Sequence, residues 1–125
     1  MDSKTAFQNL MQLLKEIAAK LQILERQAAE SLTPENNHDQ YRKFQEEKTR
    51  LLISLPTRVA DHLSGIEPQI QTTIEKGLLE FAEDAQMAQK VNSLFYMSVL
   101  LAPEENQEEA DRNSFDSFIA KLESI

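Results

Sequence analysis

Apolar residues recur every three or four positions from the start of the chain. Phe7, Leu10, Leu14, Ile17, Leu21, Leu24 and Ala28 keep that rhythm without a slip. The spacing places all seven on one stripe of a helix, and the stripe needs a helical partner. A first helix is therefore predicted over residues 3–31, with Glu16 and Lys20 as a favourable pair one turn apart. Residues 32–35 form a connector. Thr33 is a good N-cap, and Pro34 suits the first helical position, where its missing N–H costs nothing.

A second helix is predicted over residues 34–64. Pro56 lies inside it and normally kinks or ends a helix. Leu52, Leu55, Val59, Leu63 and Ile66 hold spacings of three and four across the proline, which favours a kinked but continuous helix. A short break capped by Ser54 or Thr57 is the alternative. Gly65 supplies the stop, since it takes the left-handed conformation readily, and Pro68 marks a new start.

The third helix is predicted over residues 67–101, with Ile70, Ile74, Leu78, Phe81, Ala85 and Ala88 on one stripe and Gly77 as a weak point within it. Between 94 and 101 the stripe widens. Leu94, Phe95, Tyr96, Met97, Val99, Leu100 and Leu101 cover most of the circumference at about 100° per residue. Residues 103–113 are acidic and polar and are expected to form a flexible linker. Ser114 then caps a short amphipathic helix over residues 114–125, carrying Phe115, Phe118, Ile119, Leu122 and Ile125.

The pattern predicts an all-α fold: an antiparallel bundle of three long helices, the second kinked at Pro56, plus a short C-terminal amphipathic helix. Helices of about 30 residues would be on the order of 45 Å long, and short connectors between matched lengths imply up-down-up packing. The bundle would span residues 1–102, the linker 103–113, and the last helix 114–125, docked on the bundle or on a partner.

Composition agrees with one helical domain. Two glycines and four prolines among 125 residues are too few for a protein of many tight β-turns. The net charge is −8, and residues 101–125 alone hold seven acids against two bases. That acidity disfavours nucleic acid and anionic lipid as partners. There is no cysteine, which excludes disulfides and thiol chemistry. The apolar run at 94–102 is too short to span a bilayer, and the first residues carry no signal-like core. The expectation is a soluble cytoplasmic protein.

Candidate chemistry is sparse. Glu35 and His38 have the spacing of half a di-iron carboxylate–histidine motif, but no second pair accompanies them. Asp61 and His62 lack a nucleophile in a strained glycine turn, and Gly65 and Gly77 form no phosphate loop. Arg42, Lys43, Lys48, Arg50 and Arg58 make a basic stretch interrupted by Glu46 and Glu47. This reads as a salt-bridged face or a landing place for an acidic partner. No aromatic platform accompanies it for RNA. The chain is read as a non-enzyme with no cofactor and no metal.

The apolar end of the third helix and the last helix are the candidate partner-binding elements, through Leu94, Phe95, Met97, Leu101, Phe115, Phe118, Ile119 and Leu122. One can cover the other, or the last helix can leave and a partner helix take its place. Such grooves engage anchors at i, i+3, i+4 and i+7.

In layout the chain resembles the FlgN/FliT class of flagellar type III export chaperones. The likeness lies in the long leucine-rich first helix, in Glu47-Lys48-Thr49-Arg50-Leu51-Leu52 before a proline, and in a long third helix rich in Gln, Asn and Ala. It spans roughly residues 5–100. The resemblance implies a small acidic helical protein that holds unassembled subunits through helical surfaces, with no catalytic residues. By position it implies residues 115–125 as the client-binding helix. The reading is thus a cytoplasmic helix-binding chaperone or adaptor, its partner a helical protein segment, with a homodimer also allowed. The alternatives are a structural coiled-coil subunit of an oligomer and, further off, a metal-dependent bundle enzyme.

Overall fold

The computed structural model describes residues 2–33, 36–102 and 113–125. It is an all-α bundle of six helices, with no strand among the described residues. They are α1 (Ser3–Ser31), α2 (His38–Ile53), α3 (Leu55–Val59), α4 (Pro68–Lys90), α5 (Leu94–Ser98) and α6 (Ser114–Glu123). A 3₁₀ turn over Ala60–His62 follows α3. No helix among the described residues is long and apolar enough to cross a membrane.

The predicted stripe builds α1. Asp2 caps it, its carboxylate accepting from the Thr5 N–H at 2.7 Å, and that bond holds the Asp2 carboxyl below its ordinary range. Leu10, Leu14, Ile17, Leu21, Leu24 and Ala28 are buried, and Phe7 packs half-buried against them.

The second predicted helix begins later than Thr33 and Pro34 suggest. Pro34 itself, with Glu35, lies outside the described residues. Asn36 sits in the left-handed region at φ 51°, which interrupts the right-handed run. Asn37 then caps α2, its side chain accepting from the Gln40 N–H at 3.1 Å, and the helix starts at His38.

At Pro56 the expected continuous helix is two pieces, interrupted at Ser54. Proline has no N–H to offer the Leu52 carbonyl, so the ladder loses a rung there. Ser54 Oγ donates to the Leu51 carbonyl at 2.7 Å, and the Arg58 N–H returns to the Ser54 carbonyl at 3.0 Å. Ser54 keeps right-handed dihedrals (φ −81°, ψ −5°), so the apolar phase continues: Leu52, Leu55, Val59 and Leu63 are all buried. Gly65, at φ 87°, turns the chain, and Gln71 Nε2 donates to the carbonyls of Leu63 and Ile66 at 2.7 and 2.9 Å.

The third predicted helix is corrected at its far end. It does not reach residue 101: α4 stops at Lys90, and Asn92 adopts φ 51°. Ser93 then caps α5, accepting from the Tyr96 N–H at 3.1 Å. The physical reason is the crowded apolar run at 94–101, which a straight helix cannot bury against one neighbour. Turning the chain lets α5 pack on α2 and on α4, and puts Met97 and Leu101 inside.

α2 packs against α1 and α4, α3 against α4, and α6 against α1. One core joins Leu10, Leu14 and Leu21 of α1, Leu52 of α2, Ile74 and Leu78 of α4, and Phe115, Ile119 and Leu122 of α6. The expected mobility of 103–113 falls almost wholly on residues outside the described set.

A helix seated in a groove, and an open apolar ledge

α6 is the functional candidate with the most complete geometry. Asn113 caps it: Oδ1 accepts from the Asp116 N–H at 2.8 Å, and Nδ2 donates to Glu25 Oε1 at 3.5 Å. At the other end Glu123 pairs with Lys15 at 3.2 Å. Residue 113 beside 25 and residue 123 beside 15 make α6 run antiparallel to α1. The Ser114 N–H donates to the Leu101 carbonyl at 3.1 Å, which ties the start of α6 to the segment that follows α5.

Phe115, Ile119 and Leu122, at i, i+4 and i+7, are buried; Phe118 is half-buried. The Phe81 ring of α4 meets both aromatics edge-on, with centroids 5.3 Å from Phe115 and 5.8 Å from Phe118. Such contacts add about 0.5–1.5 kcal/mol beyond area burial. Phe118 lies over Gly77 so closely that a Cβ there would stand 2.6 Å from its Cζ. The glycine that looks like a weak point in a helix is the floor on which the ring rests. Beside it a cleft of about 340 Å³ stays open between α4 and α6, rimmed by Glu80, Asp84 and Lys121.

The eight candidate partner-binding residues fall into two places. Phe115, Ile119, Leu122 and Leu101 lie in the core with Phe118 at its edge, and Met97 is the buried residue of α5. Leu94 is half-buried, while Phe95 points outward, 69% exposed. Tyr96, Val99, Val91 and Met87 join Phe95 as large exposed apolar residues. Sequence reasoning missed Gly77, Phe81, Met87 and Val91 as participants. The pair Asn92-Ser93, a left-handed residue followed by an N-cap residue, was the signal that could have revealed the turn.

The polar candidates disperse. His38 opens α2 in an exposed position, His62 and Asp61 are exposed in the 3₁₀ turn, and Glu35 is not described. No group of three or more His, Cys, Asp or Glu among the described residues could hold a metal ion. Of the basic stretch, Arg42 pairs with Glu46 at 3.7 Å, and Arg50 and Arg58 rim a shallow hollow with Lys20 and Glu47.

Lys48 is the exception. Its side chain is 1% exposed, and Nζ has no hydrogen-bond partner among the described residues; Glu25 stands 3.9 Å away. Burial pushes the Lys48 amine below the ordinary lysine range, and the Glu25 charge only partly opposes this. A lysine whose folded pKa is depressed costs stability below that value. The cost fades as pH rises toward the unfolded value of about 10.4. Lys48→Met removes that desolvation cost, while Glu25, a third exposed, keeps the Asn113 amide as a donor, so the variant should be at least as stable as the parent at neutral pH. Urea denaturation at neutral pH and near pH 10 checks this: the gap between variant and parent should narrow at the higher pH.

Compared with known protein families, curated proteins and solved structures, the chain matches none.

Proposed function

We infer that this chain is a helix-binding protein, a chaperone or adaptor, that takes an amphipathic helix of a partner protein into the groove between α1 and α4. One observation carries the reading: α6, a separate amphipathic helix reached through residues 102–113, is seated there by side-chain anchors over a glycine floor. A groove that accepts one such helix in cis has the shape and chemistry to accept another in trans. The partner helix would repeat the order aromatic, aromatic, aliphatic, aliphatic at i, i+3, i+4 and i+7, as Phe115, Phe118, Ile119 and Leu122 do.

The finer architecture belongs to the same reading. α1, α2 with α3, and α4 act as three long antiparallel helices over residues 1–102, and α6 is the exchangeable fourth. The layout resemblance to the FlgN/FliT class supports a cytoplasmic export chaperone whose client is a helical segment of an exported subunit. A structural coiled-coil subunit would need the α1 seam free for another chain. Leu10, Leu14, Leu21 and Leu24 are buried within this one, which favours the binder.

The test uses the full chain and a fluorescent synthetic peptide of residues 113–125. The tethered α6 competes at an effective concentration on the order of millimolar, so the parent should bind the peptide weakly. Phe118→Ala weakens the occupant and leaves the groove intact, and should tighten peptide binding about tenfold. Adding Gly77→Ala, which spoils the floor, should cancel the gain. No peptide binding by the Phe118→Ala chain at millimolar peptide would overturn the reading.

A further inference from the structure

The charged side chains that flank the anchors of α6 are sorted by sign between the two walls of its groove. Lys121 and Glu123 are two positions apart, so they leave the helix on opposite sides, about 200° from each other. Lys121 follows Phe118 by one turn and shares its side, and that ring rests on α4 at Gly77. There Lys121 rims the open cleft with Glu80 and Asp84 of α4, two exposed acids one turn apart. Glu123 leaves toward α1 and pairs with Lys15 at 3.2 Å. At this end of the groove the α4 wall is acidic and the α1 wall presents a cation.

The other end is marked by Glu25, which accepts from the Asn113 amide at the start of α6. A helix is partly positive at its N-terminus and partly negative at its C-terminus. Glu25 stands at the first and Lys15 at the second, so the charges of α1 agree with the dipole of α6. A helix laid in the groove the other way round would meet both charges with the wrong end. The spacing of the anchors does not make this choice. Positions i, i+3, i+4 and i+7 read the same from either end.

We propose that Glu25, Lys15 and the Glu80–Asp84 pair fix the direction and rotation of the partner helix. This rests on the groove reading above and adds the partner's orientation and charge pattern to it. The partner helix runs antiparallel to α1, with a hydrogen-bond donor at its N-cap. Six positions after its first anchor it carries a base, and eight positions after it an acid, as Lys121 and Glu123 stand to Phe115. Exposed ion pairs add little affinity. Their use here is to reject: exchanging the two charges sets an acid against Glu80 and Asp84 and a base against Lys15.

The Phe118→Ala chain and the fluorescent 113–125 peptide test this, beside a second peptide that combines Lys121→Glu with Glu123→Lys. The two peptides share net charge and anchors. The tethered α6 lowers both affinities by one factor, so their ratio reports the groove alone. The exchanged peptide should bind about fivefold more weakly at low salt. The ratio should fall toward one at roughly 1 M salt, where the Debye length is about 3 Å. Lys15→Glu in the chain, at an exposed position, should shift the ratio toward the exchanged peptide. A nitroxide on the N-terminal end of the parent peptide should broaden the Glu25 amide signal more than that of Lys15. Equal binding of the two peptides, a ratio unmoved by Lys15→Glu, or stronger broadening at Lys15 overturns the proposal and leaves the groove reading standing. Binding of neither peptide overturns the groove reading, and this proposal with it.

Discussion

Leu14→Ala and Leu21→Ala, made singly, are expected to destabilise the chain by about 2–5 kcal/mol each. Both leucines are fully buried on the stripe of α1 that enters the core. Each substitution loses the transfer energy of the deleted carbons and leaves a cavity that helices on several sides cannot all close. The whole fold is worth on the order of 5–15 kcal/mol, so either change consumes a large share of it. Urea denaturation followed by helical circular dichroism should show a lower midpoint at unchanged slope. Leu79→Ala, on the exposed side of α4, is the internal control and should shift stability by no more than about 0.5 kcal/mol. If Leu14→Asp melted like the parent, the α1 seam would not be the centre of the fold.

Phe115→Ala is the second large effect, and it is expected to be local. The ring is fully buried and meets Phe81 edge-on. Its loss should remove about 3–5 kcal/mol from the docking of α6. A docked helix cannot lose more than its own docking energy before it detaches. Beyond that point further loss leaves the rest of the bundle untouched. Amide hydrogen exchange should therefore show the Ser114–Glu123 amides losing protection while α1 and α2 keep theirs. Simultaneous loss of protection in α1 and α2 would make α6 part of one cooperative unit and argue against exchange with a partner helix.

The heptad from Phe7 to Ala28 was enough to place α1, because a stripe of that length has a single helical interpretation. The phase of Leu52, Leu55 and Val59 across Pro56 was equally legible. A proline deletes one hydrogen bond without forcing the dihedrals out of the helical region, and Ser54 stays there. The start of α2 was not legible in the same way. Thr33 and Asn37 both have the chemistry of an N-cap, and the left-handed turn at Asn36 decided for the later one. The candidate site was legible as a list of apolar residues but not as a place. Phe95 and Met97 are two positions apart, yet one lies open and the other is sealed where α5 packs on α2 and α4.

What the sequence determined by itself is the set of stripes and one stop: which residues share a helical face, and that Gly65 turns the chain. Those are local matters of backbone freedom and 3.6-residue periodicity. What only the tertiary structure decided is who covers whom. Gly77 became the floor for Phe118 because α6 arrives from 41 residues further along the chain. Lys48 became a buried amine because other helices close over its side chain, which leaves Glu25 of α1 3.9 Å away. Burial belongs to pairs of surfaces, and periodicity along one chain describes only one member of each pair.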